Sequence, residues 1–483
     1  MPDYTLTRSL RLTLSLGGIL CGLGVSVLLF ADPVMASNAA VGLGEGGRNE
    51  LSIPRWLYVA TGGAAVGASA LLAGFVTDRR LISAIHTYHQ NWLFSNSHLQ
   101  RIHICGAVAG GTLFIYALFR GLRGPSLPAI NAAIIVVFAG FRAGITMVTY
   151  LIGNAWSILS PISFLRRHDH DGVFVYPQRL GRWPAVSGIL FLIWIETVSE
   201  ITTSPRTLAA GLFGYLMFTL TGGGLFGFQN WFNNVDPVTV FFHAYARFAP
   251  FTRDRTQLKL SFPGMRLVTA SEPTATQTDD PLVSGYDDVA LVILLVWELT
   301  FSGFVTTTVG AQMLQPLVSG SIPAPVVYGG VLLIGFSVFF LAFVFAGRVA
   351  CARLRSTRDS STLIIAFAPS LLAVAVGYHL AHYAGFLISL SPSIANVITT
   401  PLTPASNPVV LTLPRWFAGI NIVCILAGHV LAIWVAHSIA YCLFSSRLQA
   451  IRSQYPFVAV MVFYTAISLW LISLPTASPP GVA

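Results

Sequence analysis

Three histidines stand where water is scarce. His379 and His382 fall in G-Y-H-L-A-H-Y and His429 in A-G-H-V-L, each inside an apolar run long enough to cross a membrane. Lipid solvates ionisable groups poorly, so residues of this type face a protein interior or a water-filled cavity and mark functional sites. His379 and His382 are three apart and share one helix face about one turn apart. The following span returns from the opposite side and brings His429 to a similar depth. Imidazoles with a carboxylate suit copper, zinc or iron, and two facing imidazoles suit a haem. Candidate carboxylates are Glu298 in W-E-L-T-F-S-G-F and Glu196, four residues before Glu200, while Arg142 interrupts a further span and can pair with either acid. The expected site is a transition-metal centre with His379, His382 and His429 as ligands and Glu298 or Glu196 as ligand or proton acceptor. His437 lies eight residues beyond His429, about 12 Å deeper along a helix, and belongs to another layer.

The elements that hold these groups must be membrane helices. The chain carries 54% hydrophobic and 9% charged residues, against roughly 25% charged in soluble domains. Apolar stretches recur near 10–31, 56–75, 103–120, 129–152, 183–203, 206–226, 288–312, 326–347, 362–389, 416–443 and 456–475. This predicts an all-α polytopic integral membrane bundle with about ten or eleven transmembrane helices. The first stretch has a basic start and Val34-Met35-Ala36 before Ser37, which makes residues 1–36 either a signal peptide or the first transmembrane helix. Residues 37–250 then form the first helical half and 251–287 a polar cytoplasmic loop. The late helices, with the histidine cluster, occupy 288–483.

Arginine placement gives the orientation. Arg79, Arg80, Arg101, Arg179, Arg182, Arg247, Arg348, Arg353, Arg447 and Arg452 all fall in loops or helix ends on one side if the spans alternate, with Arg120 and Arg123 a mild exception. The positive-inside rule makes that side cytoplasmic and the chain a multi-pass plasma-membrane protein. The net charge of +9 is therefore a topology signal, with no basic stripe or aromatic interleaving for nucleic acid. The partners expected are the lipid bilayer and a small-molecule or metal-ion substrate.

Residues 80–102 and 228–250 mix aromatic and polar residues and suit interfacial helices. His86, His89 and His98 in the first of these are expected to be solvated, as is the H-D-H turn at His168–His170. Five scattered cysteines form no C-x-x-C pair. There is no Walker A loop, G-x-S-x-G elbow or H-E-x-x-H motif, and an ATP-driven pump or a serine hydrolase is disfavoured.

Several stretches run in order along the chain: E-L-S-I-P-R-W-L-Y at 50–58, Y-P-Q-R-L-G-R-W-P-A at 176–185, H-A-Y-A-R-F-A-P at 243–250, F-A-P-S-L at 367–371, Y-H-L-A-H-Y at 378–383, A-G-H-V-L at 427–431 and Q-Y-P-F-V-A-V-M-V-F-Y-T at 454–465. They resemble a family of bacterial polytopic membrane proteins called fenitrothion hydrolase. The resemblance implies a membrane bundle, organophosphate ester hydrolysis and a secretory-type N-terminus. It also implies an acidic residue where this chain has Ser302, so that Glu298 one turn earlier would take its place.

Three functions remain open from the sequence: a metal-dependent hydrolytic or redox protein, a proton or metal-ion transporter using the same residues, and a b-type cytochrome with His429 and either His379 or His382 as axial ligands.

Overall fold

A computed structural model describes residues 55–482, apart from short segments at 94–95, 163–164, 166–171, 255–256, 270–282, 355–358, 404–406 and 415. Eight helices are long and apolar enough to cross a membrane, as expected of an all-α polytopic bundle. They include α3 (Asn96–Arg123), α6 (Pro205–Phe226), α9 (Tyr286–Val305), α11 (Ala324–Leu354), α15 (Phe417–Leu443) and α16 (Arg447–Ile472). The other two are composite. α4 (Ala132–Leu151) has α-helical ends and a π-wound middle, Ile135–Ile145; the second is α12 (Ser360–Phe367) followed by α13 (Ser370–Ser389). α1 (Arg55–Phe75) bends by 115° into α2 (Arg79–Thr87), and α5 (Trp183–Val198) is a shorter apolar helix. Helices thus occupy ten of the eleven expected stretches, eight of them long enough to cross a membrane and nine if the bent α1–α2 pair is one span. The first, at 10–31, lies outside the described residues.

The two stretches expected as interfacial helices are each divided into shorter elements. Residues 80–102 hold the end of α2, a strand β1 (His89–Leu93) and the start of α3. Residues 228–250 form two short helices, α7 (Phe228–Asn234) and α8 (Pro237–Ala246), because Asp236 caps α8 by accepting from Thr239 N at 2.9 Å and Pro237 cannot continue α7. The stretch expected as a loop from 251 carries strands β2 (Phe251–Asp254) and β3 (Gln257–Ser261). With β1 they make an antiparallel sheet in the order β1-β3-β2. Two spans also break. The span at 288–312 stops at Val305, and Thr307 caps α10 (Thr308–Val318) by accepting from Gly310 N at 3.2 Å. Pro369, which has no N–H, separates α12 from α13.

α9 is the axis of the bundle. Its run V-A-L-V-I-L-L-V is apolar all round and buried all round, as a core helix must be. Its N-terminus is fixed at the basic end. Arg182 N donates to Asp287 at 2.6 Å, Arg182 Nη1 pairs with Asp288 at 2.6 Å, and Ser284 donates to the second Asp288 oxygen from both N and Oγ. These aspartates also sit favourably at the positive end of the helix dipole. Gly181 must be glycine: its φ is +45°, and a Cβ would run into the Asp287 carboxylate. The L-G-R-W-P stretch is therefore a clamp on α9.

Helices α13 and α15 pack with almost no spacing. A Cβ on Gly377 would stand 2.5 Å from the Cys424 carbonyl oxygen and 2.8 Å from Gly428 Cα, so only glycine permits the crossing. At the basic end, Arg79 caps α15 by donating to the carbonyls of Tyr441 (2.5 Å), Phe444 (2.6 Å) and Ser445 (2.8 Å). At the other end, Thr308 N donates to Pro475 O and Ala477 N to Thr306 O, joining the C-terminal segment to the α9–α10 turn. Exposed apolar side chains such as Val108, Ile115, Phe213, Ile334 and Phe345 lie on the outward faces of α3, α6 and α11, where a bilayer would solvate them.

Candidate functional site

Arg142 organises the interior. It sits on the π-wound part of α4, in F-A-G-F-R-A-G, where small neighbours leave room around the guanidinium. Nη1 pairs with Glu196 Oε2 of α5 at 2.8 Å, Nη2 with Glu298 Oε1 of α9 at 2.5 Å, and Nε donates to the Tyr383 hydroxyl of α13 at 2.7 Å. The fork of five N–H donors makes Arg, and not Lys, able to serve three partners at once. The Glu298 side chain is 4% exposed, Glu196 11% and Arg142 22%, so the cluster is buried with one more open side at the cation. Glu298 Oε2 is buried without a hydrogen-bond partner among the described residues.

The histidines lie on the far side of Tyr383. Its ring packs against His379 (centroids 4.5 Å apart, 33°) and against His382 (5.1 Å, 63°). His379 is buried; its Nδ1 is 3.2 Å from the Tyr150 hydroxyl of α4, and its Nε2 has no hydrogen-bond partner. Tyr245 of α8 packs edge-on to the same imidazole, and its own buried hydroxyl has no partner. A chain of contacts therefore runs from Glu196 and Glu298 through Arg142 to Tyr383 by ion pair and hydrogen bond, from Tyr383 to His379 by ring packing, and from His379 to Tyr150 by hydrogen bond, across four helices.

His429 is separate from this path. Its Nδ1–H donates to Ile425 O of its own helix at 2.8 Å, and its buried Nε2 has no partner. Among the described residues, no three of His, Cys, Asp and Glu are grouped to hold a metal ion. Both expected carboxylates are engaged by Arg142. A bis-histidine haem does not fit, because the α13 and α15 backbones touch at Gly377 and Gly428, beside the two ligands it would need.

Other histidines and acids fall elsewhere. His437 is in a different layer, between Val76 O (2.8 Å) and Gln454 Oε1 (3.2 Å) at the basic end. Glu200 does not share a helix face with Glu196, because α5 ends at Val198 and Glu200, itself exposed, starts a 3-10 turn capped by Ser199. His86 is buried, contrary to its expected solvation, whereas His89 is exposed. His168–His170 lie outside the described residues.

Tyr383, Tyr150 and Tyr245 had not been singled out from the sequence. A signal was present for the first: Tyr383 is four residues after His379 and so shares its face.

Fold and site together define a polytopic all-α membrane bundle with a buried Arg–Glu–Glu–Tyr–His network at its centre. Beyond that class, comparison with protein-family models, curated proteins and solved structures gives no match.

Proposed function

We propose that the buried network is a proton relay and that the protein moves protons, or a small-molecule or metal-ion substrate coupled to them, across the membrane. One observation carries this: a single guanidinium serves two buried carboxylates. With all three groups ionised the cluster holds one net negative charge, and an uncompensated buried charge costs several kcal/mol. One bound proton, or one exchangeable cation, removes the deficit. Glu298 Oε2, buried and without a partner, is the oxygen that would take it. Tyr383, bonded to Arg142, and the His379–Tyr150 pair, packed against the Tyr383 ring, then place further groups that both donate and accept beside the cluster. Purified protein in liposomes carrying a pH-sensitive dye, given a potassium-diffusion potential, should acidify or alkalinise its lumen faster than empty liposomes. Equal rates, with and without added cations, would end the transport reading.

The proposed orientation puts the basic end, with Arg79, Arg182 and Arg447, in the cytoplasm and the Ser/Thr/Pro-rich end outside, in the plasma membrane. Thr399 and Ser446 are exposed at opposite ends. In a background without the native cysteines, Thr399→Cys should react with an impermeant thiol reagent on intact cells and Ser446→Cys only after permeabilisation. The reverse pattern inverts the topology.

A second reading keeps the metal. The buried Nε2 atoms of His379 and His429 have no hydrogen-bond partner, an orphaned state that a bound metal would relieve. A transition metal there, with His382 nearby, would lower the pKa of bound water for hydrolysis of the ester class implied by the sequence resemblance, or would cycle redox states. Metal content of the purified protein should fall on His379→Ala if this is right. An unchanged metal-to-protein ratio removes the metal from His379.

A further inference from the structure

At the end of the bundle opposite the basic loops, α3 finishes beside a cleft formed with the start of α4 and with helix α14 (Ser391–Thr399) and the residues after it. Arg120 lines this cleft. It is 7% exposed, its Nε has no hydrogen-bond partner, and no carboxylate pairs with it among the described residues. Around it the described wall is partly apolar, from the start of α4 and Val397, and partly neutral polar, from Tyr116, Asn396, Thr400 and Asn407; it includes no acidic side chain.

A bland account exists. Basic residues in a last helical turn complement the helix dipole, and Arg120 and Arg123 both end α3. Arg123 is exposed and serves that purpose in water, but Arg120 is buried, and burial of an unpaired guanidinium costs more than a dipole returns. The nearby polar groups do not compensate. Tyr116 donates its hydroxyl proton to Pro401 O, Asn131 Nδ2 donates to the backbone carbonyls of Arg120 and Pro125, and Thr400 donates to Asn396 O. A buried cation with an unpartnered Nε, set in a cleft whose described lining mixes apolar and neutral polar side chains and holds no acid, calls for an anion.

We propose that this cleft binds the oxyanion group of a ligand, a phosphate or carboxylate, through Arg120 with Asn396 and Asn407 as neutral donors. Guanidinium matches such groups through two parallel N–H···O bonds. The anion has two sources: a free solute in the compartment facing this end, or the phosphate of a phospholipid headgroup. The site is independent of the Arg142 relay, so either can fail alone.

The test uses purified full-length protein in neutral maltoside detergent. Inorganic phosphate should raise its melting temperature above that in sodium chloride of equal ionic strength, and calorimetry should detect binding. Arg120→Gln should weaken phosphate binding roughly ten-fold or more, and Arg120→Lys less, since a charge-assisted hydrogen bond is lost in one and kept in the other. Native mass spectrometry, with added phosphatidylglycerol, tests the second source: one tightly held lipid present in the native protein and lost in Arg120→Gln assigns the headgroup. Phosphate binding without lipid retention assigns the free solute. If the native protein shows neither phosphate stabilisation nor a retained lipid, the proposal is wrong, and that reading needs no variant. It is equally wrong if Arg120→Gln, eluting as a monodisperse peak, binds both probes as the native protein does.

Discussion

Arg142→Leu is expected to cost about 3–5 kcal/mol of stability, the usual penalty for removing one partner of a buried ion pair. The cost arises mainly from what remains. Glu196 and Glu298 would be left buried beside each other without a counter-charge, and the Tyr383 hydroxyl would lose its donor. The origin of the penalty can be isolated. Adding Glu196→Gln and Glu298→Gln to Arg142→Leu removes the stranded charges, and most of the lost stability should return, since uncharged replacements of a buried ionic cluster are often near neutral. Thermal unfolding in detergent, followed by intrinsic fluorescence, reads both steps. If the triple variant is as unstable as the single one, the guanidinium contributes through packing and not through charge.

Glu298→Gln alone should separate function from folding. The amide retains an oxygen that accepts from Arg142 Nη2, and Arg142 keeps Glu196, so the bundle should remain assembled. The change also fixes the charge of the cluster: one guanidinium now faces one carboxylate, and no proton is needed for balance. Liposome proton flux should fall by about two orders of magnitude, the scale on which loss of a positioned proton acceptor is felt. The chromatographic profile should not change. Flux that survives this substitution would move the proton-binding role to Glu196 or to His379.

Much of this arrangement is legible in the sequence. Runs of about 20 apolar residues are sufficient to mark spans, and the spans drawn from them contain Arg142, Glu196, Glu298 and all three histidines. Each of these stood out because an ionisable group inside an apolar run needs a reason. The partnerships were only partly visible. Counting along a helix gives depth, but the facing direction across helices depends on rotation about each axis. Depth alone grouped His379, His382 and His429, whereas rotation gives His379 to Tyr150 and Tyr383 and leaves His429 on its own helix carbonyl. The tyrosines were missed because a phenol in an apolar helix is ordinary and carries no charge to draw notice. The π winding of Ile135–Ile145 was hidden for a different reason: its residues have the same apolar pattern an α-helix would.

Breaks were harder to see than spans. Pro369 announces itself, but the stop at Val305 depends on Thr307 finding Gly310 N, and the end of α5 on Ser199 capping the turn that holds Glu200. Hydroxyl side chains inside long apolar stretches read equally well as tolerated passengers or as caps, and only the backbone path tells them apart.

The contact between Gly377 and Gly428 has a mechanical consequence. At this crossing the backbones of α13 and α15 meet with no side-chain layer between them, so neither can move closer there and sliding would meet main-chain atoms at once. The pair behaves as a stiff post. On its other flank, the contacts of α13 with α4 and α9 run through side chains, the Arg142–Tyr383 bond and the Tyr383–His379 ring contact among them. Side chains can change rotamer where a glycine seam cannot. Any opening of the bundle during a working cycle is therefore steered to the α4 side of the post, and the hinge carries the guanidinium with it.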